Sequence, residues 1–354
     1  MAENRSKPRL LLLNATCLDA LAPLRPWLAD QPVTFVADPA MVRMHAEALD
    51  AAVAGVAGLI LPSGERYRFP VEAHMARHTS IQVLAIAASG HEWLDLDAAT
   101  RHGIVVTHAP VPEGVEVVAD QTFALMLAAA RQVPHHHAQL RQGHDERGIG
   151  VSVWGKTLGI VGLGRIGQAV ARRAAGFEMR VLASTPRPDA AFCRRYGVEV
   201  VPLDTLLQQA DFVSLHTRLN PQTAGMIGPE QLARLKPSAM LINTARAELV
   251  NQAALADALE HGRLAGAGLD DPPAPEHRHL LARPNVVCTP HLGNRAMEGM
   301  VAVFRAAVAD AVAVLHGRRP RYLLNPAVYD AANLRCPAPQ PLPQQAPAPI
   351  ESEL

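Results

Sequence analysis

Three glycines, spaced Gly162-x-Gly164-x-x-Gly167, stand directly after the apolar run 158–161 and directly before the helical pattern 168–173. This order of strand, glycines and helix suits a dinucleotide. The first glycine permits a tight turn, the second lets backbone approach a pyrophosphate, and the third lets helix and strand pack closely. A helix that opens at Arg165 and Ile166 turns unpaired N–H groups and the positive end of its dipole toward the phosphates. Glycines at this spacing also form plain turns in α/β proteins. The strand before them and the helix after them favour the nucleotide.

These glycines sit inside a longer alternation of strands and helices. Short apolar strands are predicted at 10–13, 33–36, 58–61, 81–86 and 104–107, with helical segments at 17–28 and 41–53. Such alternation predicts a parallel sheet covered on both faces. Residues 115–133 form a helix apolar nearly all round, expected to be buried between layers and to end at Pro134. The alternation then restarts. Strands are expected at 158–161, 180–183, 198–201, 212–215, 239–242, 264–269 and 286–288, with Asp204 and Asn251 as helix N-caps and Gly262 as a helix stop. From Arg295 onward, Met297, Val301, Phe304, Val308, Val312 and Leu315 make one stripe at helical spacing.

The 354 residues suit two ordinary domains. Although 49% of them are hydrophobic, runs such as 123–130 are too short to span a bilayer. Lys+Arg and Asp+Glu both total 33, so no basic surplus points to nucleic acid. Residues 10–13 are too short a run for a secretory signal. Cys17, Cys193, Cys288 and Cys336 are scattered without metal-type pairing, as expected of a reducing cytoplasm. The run His135-His136-His137 invites a metal reading, but consecutive helical positions point about 100° apart and cannot share one ion. No metal is expected.

Five motifs follow one another: Gly162-Leu163-Gly164-Arg165-Ile166-Gly167, Leu215-His216-Thr217, Ile242-Asn243-Thr244-Ala245-Arg246, Gly266-Ala267-Gly268-Leu269-Asp270 and Thr289-Pro290-His291-Leu292-Gly293. In that order they resemble the D-isomer-specific 2-hydroxyacid dehydrogenases, a family that includes phosphoglycerate, glycerate, hydroxypyruvate and D-lactate enzymes. The resemblance is strong over 105–326. It implies an α/β fold of two doubly wound parallel-sheet domains, a Rossmann-type nucleotide domain inserted into a flavodoxin-like substrate domain. The substrate domain would be 1–108 plus 294–330 and the NAD(P) domain 109–293, leaving 331–354 as a disordered, proline- and glutamine-rich tail. It also implies an active site in the cleft and a homodimer assembled through the nucleotide domain.

Carried over by position, Arg246 becomes the substrate-binding arginine and His291 the acid/base. The chemistry agrees independently. Reducing a 2-oxo acid needs a cation for the carboxylate and the developing alkoxide, a hydride donor and a proton source. Arg246 offers a fork of donors that lysine cannot match, and His291 can protonate the oxygen or, in oxidation, deprotonate it. Ser89 and Gly90, after the strand 81–86, can present backbone N–H groups to the carboxylate. By the same resemblance His216, Thr217, Thr244, Ala245, Asp270, His291 and Gly293 join Gly162, Gly164, Arg165, Ile166 and Gly167 along the cofactor.

The chain departs from the family pattern at three places. A glutamate normally follows the motif aspartate by about five residues and pairs with the histidine. Here Pro275 holds that place, and Glu276 is the expected replacement, with Asp271 a poorer one. With no carboxylate, a histidine near pKa ~6.5 is only about a quarter charged at pH 7. The second departure follows the strand 180–183, where an acid usually binds the ribose of NAD. This chain has Thr185, Pro186 and Arg187, which admits NADP as well as NAD. The third is Ala247, where the family has glycine. The leading expectation is an oxidoreductase that exchanges hydride between NAD or NADP and a small D-2-hydroxy or 2-oxo acid. The alternative is a dinucleotide-binding regulator or scaffold of the same fold with little turnover.

Overall fold

The structure is a computed structural model, and it describes residues 7–12, 22–37, 46–61, 73 and 75–339. The chain divides into two compact units, Met1–Val111 with Met300–Leu354, and Pro112–Gly299.

The first unit carries β1 (Arg9–Leu12), β2 (Thr34–Ala37), β3 (Gly58–Leu61), β4 (Val83–Ile86) and β5 (Val105–Thr107), in the sheet order β2-β1-β3-β4-β5. Every strand pairing is parallel. Side chains alternate between two core layers: Leu10, Leu12, Ile60, Val83, Ala85 and Val105 face one, and Leu11, Leu59, Leu61, Leu84, Ile86 and Val106 face the other. Both faces are buried, which is why the strands read as unbroken apolar runs. The helix Met297–Leu315 covers the first layer with Phe304, Val308 and Val312, the stripe expected from spacing. The expected helix starts at 17–21 and 41–45 lie outside the described residues.

Part of the expected tail is built into this unit. Arg335 donates to the carbonyls of Met75 (2.9 Å) and His78 (3.0 Å), its backbone N–H bonds the Gly103 carbonyl, and Cys336 is buried. An arginine head that satisfies several carbonyls holds this segment down, and composition alone gives no sign of it. Residues 340–354 lie outside the described residues.

The second unit carries β6 (Thr157–Val161), β7 (Arg180–Ser184), β8 (Val198–Val200), β9 (Phe212–Leu215), β10 (Met240–Asn243), β11 (Gly266–Leu269) and β12 (Val286–Cys288), ordered β12-β11-β10-β9-β6-β7-β8. All pairings are again parallel. Strand order reverses between β6 and β9, the crevice where doubly wound sheets take their ligands.

The buried helix of this unit spans Pro112–Ala130 and lies against β11 where Gly268 leaves room; a Cβ there would press on Leu125 Cβ at 3.0 Å. Its outer side is tied to the helix Arg165–Ala174 by Arg173, which reaches Glu116 at 2.6 Å and Asp120 at 2.8 Å. The apolar pattern predicts a helix running to Pro134. It stops at Ala130 instead, because Gln132 adopts a left-handed conformation (φ 51°) and Pro134 sits in the first turn of a new helix, Val133–Arg141. Proline is tolerated there because the first-turn N–H groups are unpaired in any case. His135–137 fall on this short helix, and the described residues hold no group of three His, Cys, Asp or Glu able to bind a metal ion. Asn251 caps its helix as expected, accepting from the Ala254 N–H at 3.0 Å. Asp204 does not cap: the N-cap is Pro202, and Asp204 lies in the first helical turn.

Candidate active site

The glycine turn follows β6. Gly162 has φ +95°, and a Cβ there would strike the backbone of His216 and Thr217 at 2.8–2.9 Å. A Cβ on Gly167 would collide with the Gly162 carbonyl. Gly164, the N-cap of the helix Arg165–Ala174, has nothing within 4 Å of its Cβ position, and no side chain caps this helix end. The two outer glycines are thus required by close packing, whereas the middle one faces open space beside uncapped N–H groups. That combination fits the pyrophosphate of a dinucleotide.

Across the switch point, His216 is half-buried and its Nε2 lies 2.7 Å from Ser214 Oγ. Burial pushes its pKa down to about 3, so the ring is neutral. His216 and Thr217 therefore shape the wall of the crevice through backbone and contribute no charge. At the end of β7, Thr185 is half-buried and Arg187 is exposed, with no carboxylate before Asp189, which instead caps the next helix by accepting from the N–H groups of Ala191 and Phe192.

Arg246 is positioned by the end of β10. The Asn243 side chain folds the turn, accepting from the Ala245 N–H (3.0 Å) and donating to the Arg246 carbonyl (2.7 Å). Arg246 itself is extended (φ −145°, ψ 139°) and opens a short 3₁₀ turn through Ala247, while its Nη1 donates to the Ala245 carbonyl at 2.7 Å. Extended backbone at 246 and a helical turn from 247 fit alanine as well as glycine, so the Ala247 departure costs nothing here. Thr244 Oγ1 meets Thr122 Oγ1 at 2.9 Å, fastening this strand end to the buried helix.

His291 lies beyond β12 in a left-handed conformation, φ +59°, which a non-glycine residue holds only when its surroundings fix it. Asp270 does the fixing. Its Oδ1 accepts from Thr289 Oγ1 (2.6 Å) and the Leu292 N–H (2.8 Å), its Oδ2 accepts from the Gly293 N–H (2.7 Å), and its carbonyl accepts from the His291 N–H (2.8 Å). Gln121 completes the network by donating to Thr289 Oγ1 at 2.9 Å. Asp270 was expected along the cofactor; it is only 3% exposed and both its oxygens are committed to the histidine loop. Gly293 belongs to the same loop, where a Cβ would press on Asp270 Oδ2.

The carboxylate partner of His291 is Asp271, whose Oδ1 lies 2.8 Å from His291 Nδ1. Glu276 was expected in that role. It is exposed in the 3₁₀ segment Pro275–Ala282, where its carbonyl accepts from the His279 ring. Two prolines at 272 and 273 turn the chain away after Asp271, and the carboxylate nearest the strand end takes the imidazole. The hydrogen bond to Asp271 raises the His291 pKa above its ordinary value, against the opposing effects of burial and of the Arg246 charge. Sequence reasoning ranked Asp271 low by analogy with a more distant glutamate. The available signal was its place two residues past β11, level with the histidine strand. Cys288, nearby, has its thiol pushed up to about 11 by burial and is inert at neutral pH.

In the first unit, Ser89 and Gly90 stand at the carboxyl end of β4, Ser89 exposed and Gly90 half-buried. The Ser89 carbonyl accepts from two histidine rings, His91 and His108, neither of which sequence reasoning had singled out.

Comparison with known proteins gives a consistent result. Residues 123–293 match the family model described as D-isomer specific 2-hydroxyacid dehydrogenase, NAD binding domain. The chain is 41% identical over 271 residues to a glyoxylate reductase of Korarchaeum cryptofilum, covering 73% of this chain and 81% of that protein. A crystal structure of a protein from Thermus thermophilus is 38% identical, with a TM-score of 0.75 over 89% of this chain and 99% of that one. The NAD-complexed D-isomer specific 2-hydroxyacid dehydrogenase of Lactobacillus delbrueckii ssp. bulgaricus is 25% identical, with a TM-score of 0.71 over 90% of this chain and all (100%) of that one.

Proposed function

The chain belongs to the D-isomer specific 2-hydroxyacid dehydrogenases, and on that premise we propose that it exchanges a hydride between a nicotinamide dinucleotide and a small D-2-hydroxy or 2-oxo acid. One observation carries this reading: His291, held by Asp270 and with its pKa raised by its hydrogen bond to Asp271, stands close enough to Arg246 in the same unit for the guanidinium to oppose its protonation. The cofactor, when bound at the glycine turn, supplies or accepts the hydride. Arg246 takes the substrate carboxylate and carbonyl oxygen in its fork of donors and polarises the carbonyl. His291 donates Nδ1–H to Asp271, which leaves Nε2 to pass a proton to the carbonyl oxygen in reduction and to take the hydroxyl proton in oxidation. The scaffold alternative is not favoured, since an acid/base histidine with its carboxylate and the substrate arginine are all kept.

We extend the cofactor from NAD to NADP because Arg187, at the place of the usual ribose-binding acid, can pair with a 2′-phosphate. A homodimer through the second unit is supported by its exposed apolar side chains Val133, Leu140, Ile149 (94% exposed) and Trp154 (65%). No helix among the described residues is long and apolar enough to cross a membrane. The unpaired thiols Cys193, Cys288 and Cys336 support a reducing, cytoplasmic setting. The deciding experiment follows the absorbance of reduced nicotinamide with a panel of 2-oxo acids and each of NADH and NADPH. Turnover of at least one acid is expected; tight dinucleotide binding with no turnover of any would overturn the reading.

A further inference from the structure

In the second unit β10 and β12 flank β11, and each leaves the sheet in the same way. The first residue past β10 is Thr244 and the first past β12 is Thr289. In each case the side chain assigned to the reaction follows two residues later, at Arg246 and His291. The helix Pro112–Ala130 lies over β11 between them, admitted by Gly268. Consecutive helical side chains point about 100° apart, so neighbours on this helix can reach to opposite sides of the strand beneath. Gln121 and Thr122 do so. Gln121 Nε2 donates to Thr289 Oγ1 at 2.9 Å, and Thr122 Oγ1 meets Thr244 Oγ1 at 2.9 Å. One turn of one helix grips both strand ends that carry the chemistry.

The hydroxyl protons fix the direction of each grip. Thr289 gives its proton to Asp270 Oδ1 (2.6 Å), a carboxylate that only accepts, so toward the helix Thr289 accepts and residue 121 must donate. Thr122 gives its proton to the Val118 carbonyl (2.9 Å), so Thr244 donates to Thr122 and residue 122 must accept. An amide serves at the first place and a hydroxyl at the second. Asp270, steadied by Thr289, in turn accepts from the N–H groups of Leu292 and Gly293, the two residues after His291. We propose that Gln121 and Thr122 are positioning residues for the hydride exchange. Gln121 acts through Thr289 and Asp270 on the loop of His291, and Thr122 acts through Thr244 on the turn of Arg246. The helix thereby fixes the proton donor and the substrate-binding cation relative to one another. This rests on the roles given to Arg246 and His291 above.

The test measures kcat and KM for glyoxylate, pyruvate or 3-hydroxypyruvate, whichever the wild type reduces fastest with NADH or NADPH, in ordinary and in heavy water. The variants are Gln121→Glu, Gln121→Met, Thr122→Val and Thr122→Ser, all close in size to the residue they replace. Both Gln121 variants are expected to lower kcat by about tenfold, to leave KM within about twofold and to raise the solvent isotope effect on kcat, because a misaimed imidazole delivers its proton slowly. Thr122→Val raises KM for the acid by about tenfold, because the guanidinium fork meets the carboxylate out of line, and Thr122→Ser, which keeps the hydroxyl, restores it. A grip that served only to hold the helix would lower the urea midpoint and the yield of active enzyme and leave KM and the isotope effect alone. That result, or values for all four variants within about twofold of wild type, overturns the inference and leaves the dehydrogenase reading intact. Turnover of none of the acids by the wild type removes that reading, and this inference with it.

Discussion

Asp271 Oδ1 lies 2.8 Å from Nδ1 of His291, so the acid/base histidine is partnered by a residue only two places beyond the end of β11. The hydrogen bond raises the histidine pKa. Reduction uses the imidazolium, so its rate is full below that pKa and falls as pH rises through it. Asp271→Asn keeps a hydrogen-bond acceptor but removes the charge, so the His291 pKa drops. The basic limb of the kcat/KM profile for reduction should move to lower pH, so that reduction on that limb slows relative to wild type. Oxidation, which uses the neutral ring, should extend to lower pH. Glu276→Gln should leave both profiles in place. A profile that moves with Glu276 and not with Asp271 would reverse the assignment.

How much of this was legible in the residues differs from place to place. The glycine turn was, because Gly162 and Gly167 are demanded by local backbone geometry that any strand–turn–helix of this kind must satisfy. The buried strands were too, since a parallel sheet covered on both sides writes itself as short apolar runs such as Gly58–Leu61. What stayed hidden depends on residues distant in sequence. The partner of His291 is decided by where the prolines after Asp271 send the chain, and the role of Asp270 by the path of residues 289–293 around it. The seating of Arg335 depends on three carbonyls more than 250 positions away, a contact that no local pattern announces.

Arg246 is expected to be irreplaceable by lysine. Its backbone is set by Asn243, and one of its Nη groups already bonds the Ala245 carbonyl, which aims the guanidinium. Lysine keeps the charge but has neither a planar fork nor that second anchor. Arg246→Lys should lower kcat/KM for the preferred 2-oxo acid by about 10²–10³, the range for loss of one preorganised donor at a developing oxyanion. The dissociation constant for the reduced cofactor, read from nicotinamide fluorescence, should stay within about twofold. Near-normal kcat/KM in the lysine variant would remove the arginine from substrate binding.

The cofactor choice turns on one exposed side chain. Past β7, residues 185–188 contain no acid, and Arg187 is the only cation there. If Arg187 pairs with the 2′-phosphate, Arg187→Ala should raise KM for NADPH by about tenfold, the value of one charge-assisted contact at a partly exposed site. KM for NADH should be unmoved. An equal change for both cofactors, or no change for either, would show that Arg187 does not touch the 2′ position.

Asn325 tests the stability of the first unit apart from its chemistry. Its buried side chain accepts from the Val106 N–H at 2.8 Å and donates to the Ile104 carbonyl at 2.9 Å and to Thr100 Oγ1 at 3.0 Å. A strand-edge backbone is thereby paired by a residue more than two hundred positions later. Asn325→Ala leaves a buried N–H and a buried carbonyl without partners, at a cost of about 2–3 kcal/mol. Asn325→Asp should be at least as damaging, because the carboxylate keeps the bond from Val106 but turns a donor into an acceptor against the Ile104 carbonyl. Urea unfolding of the full chain should show the loss in the transition of the first unit, while dinucleotide binding by the second unit persists below it. A loss under about 0.5 kcal/mol would mean that water reaches these groups and that the asparagine holds nothing together.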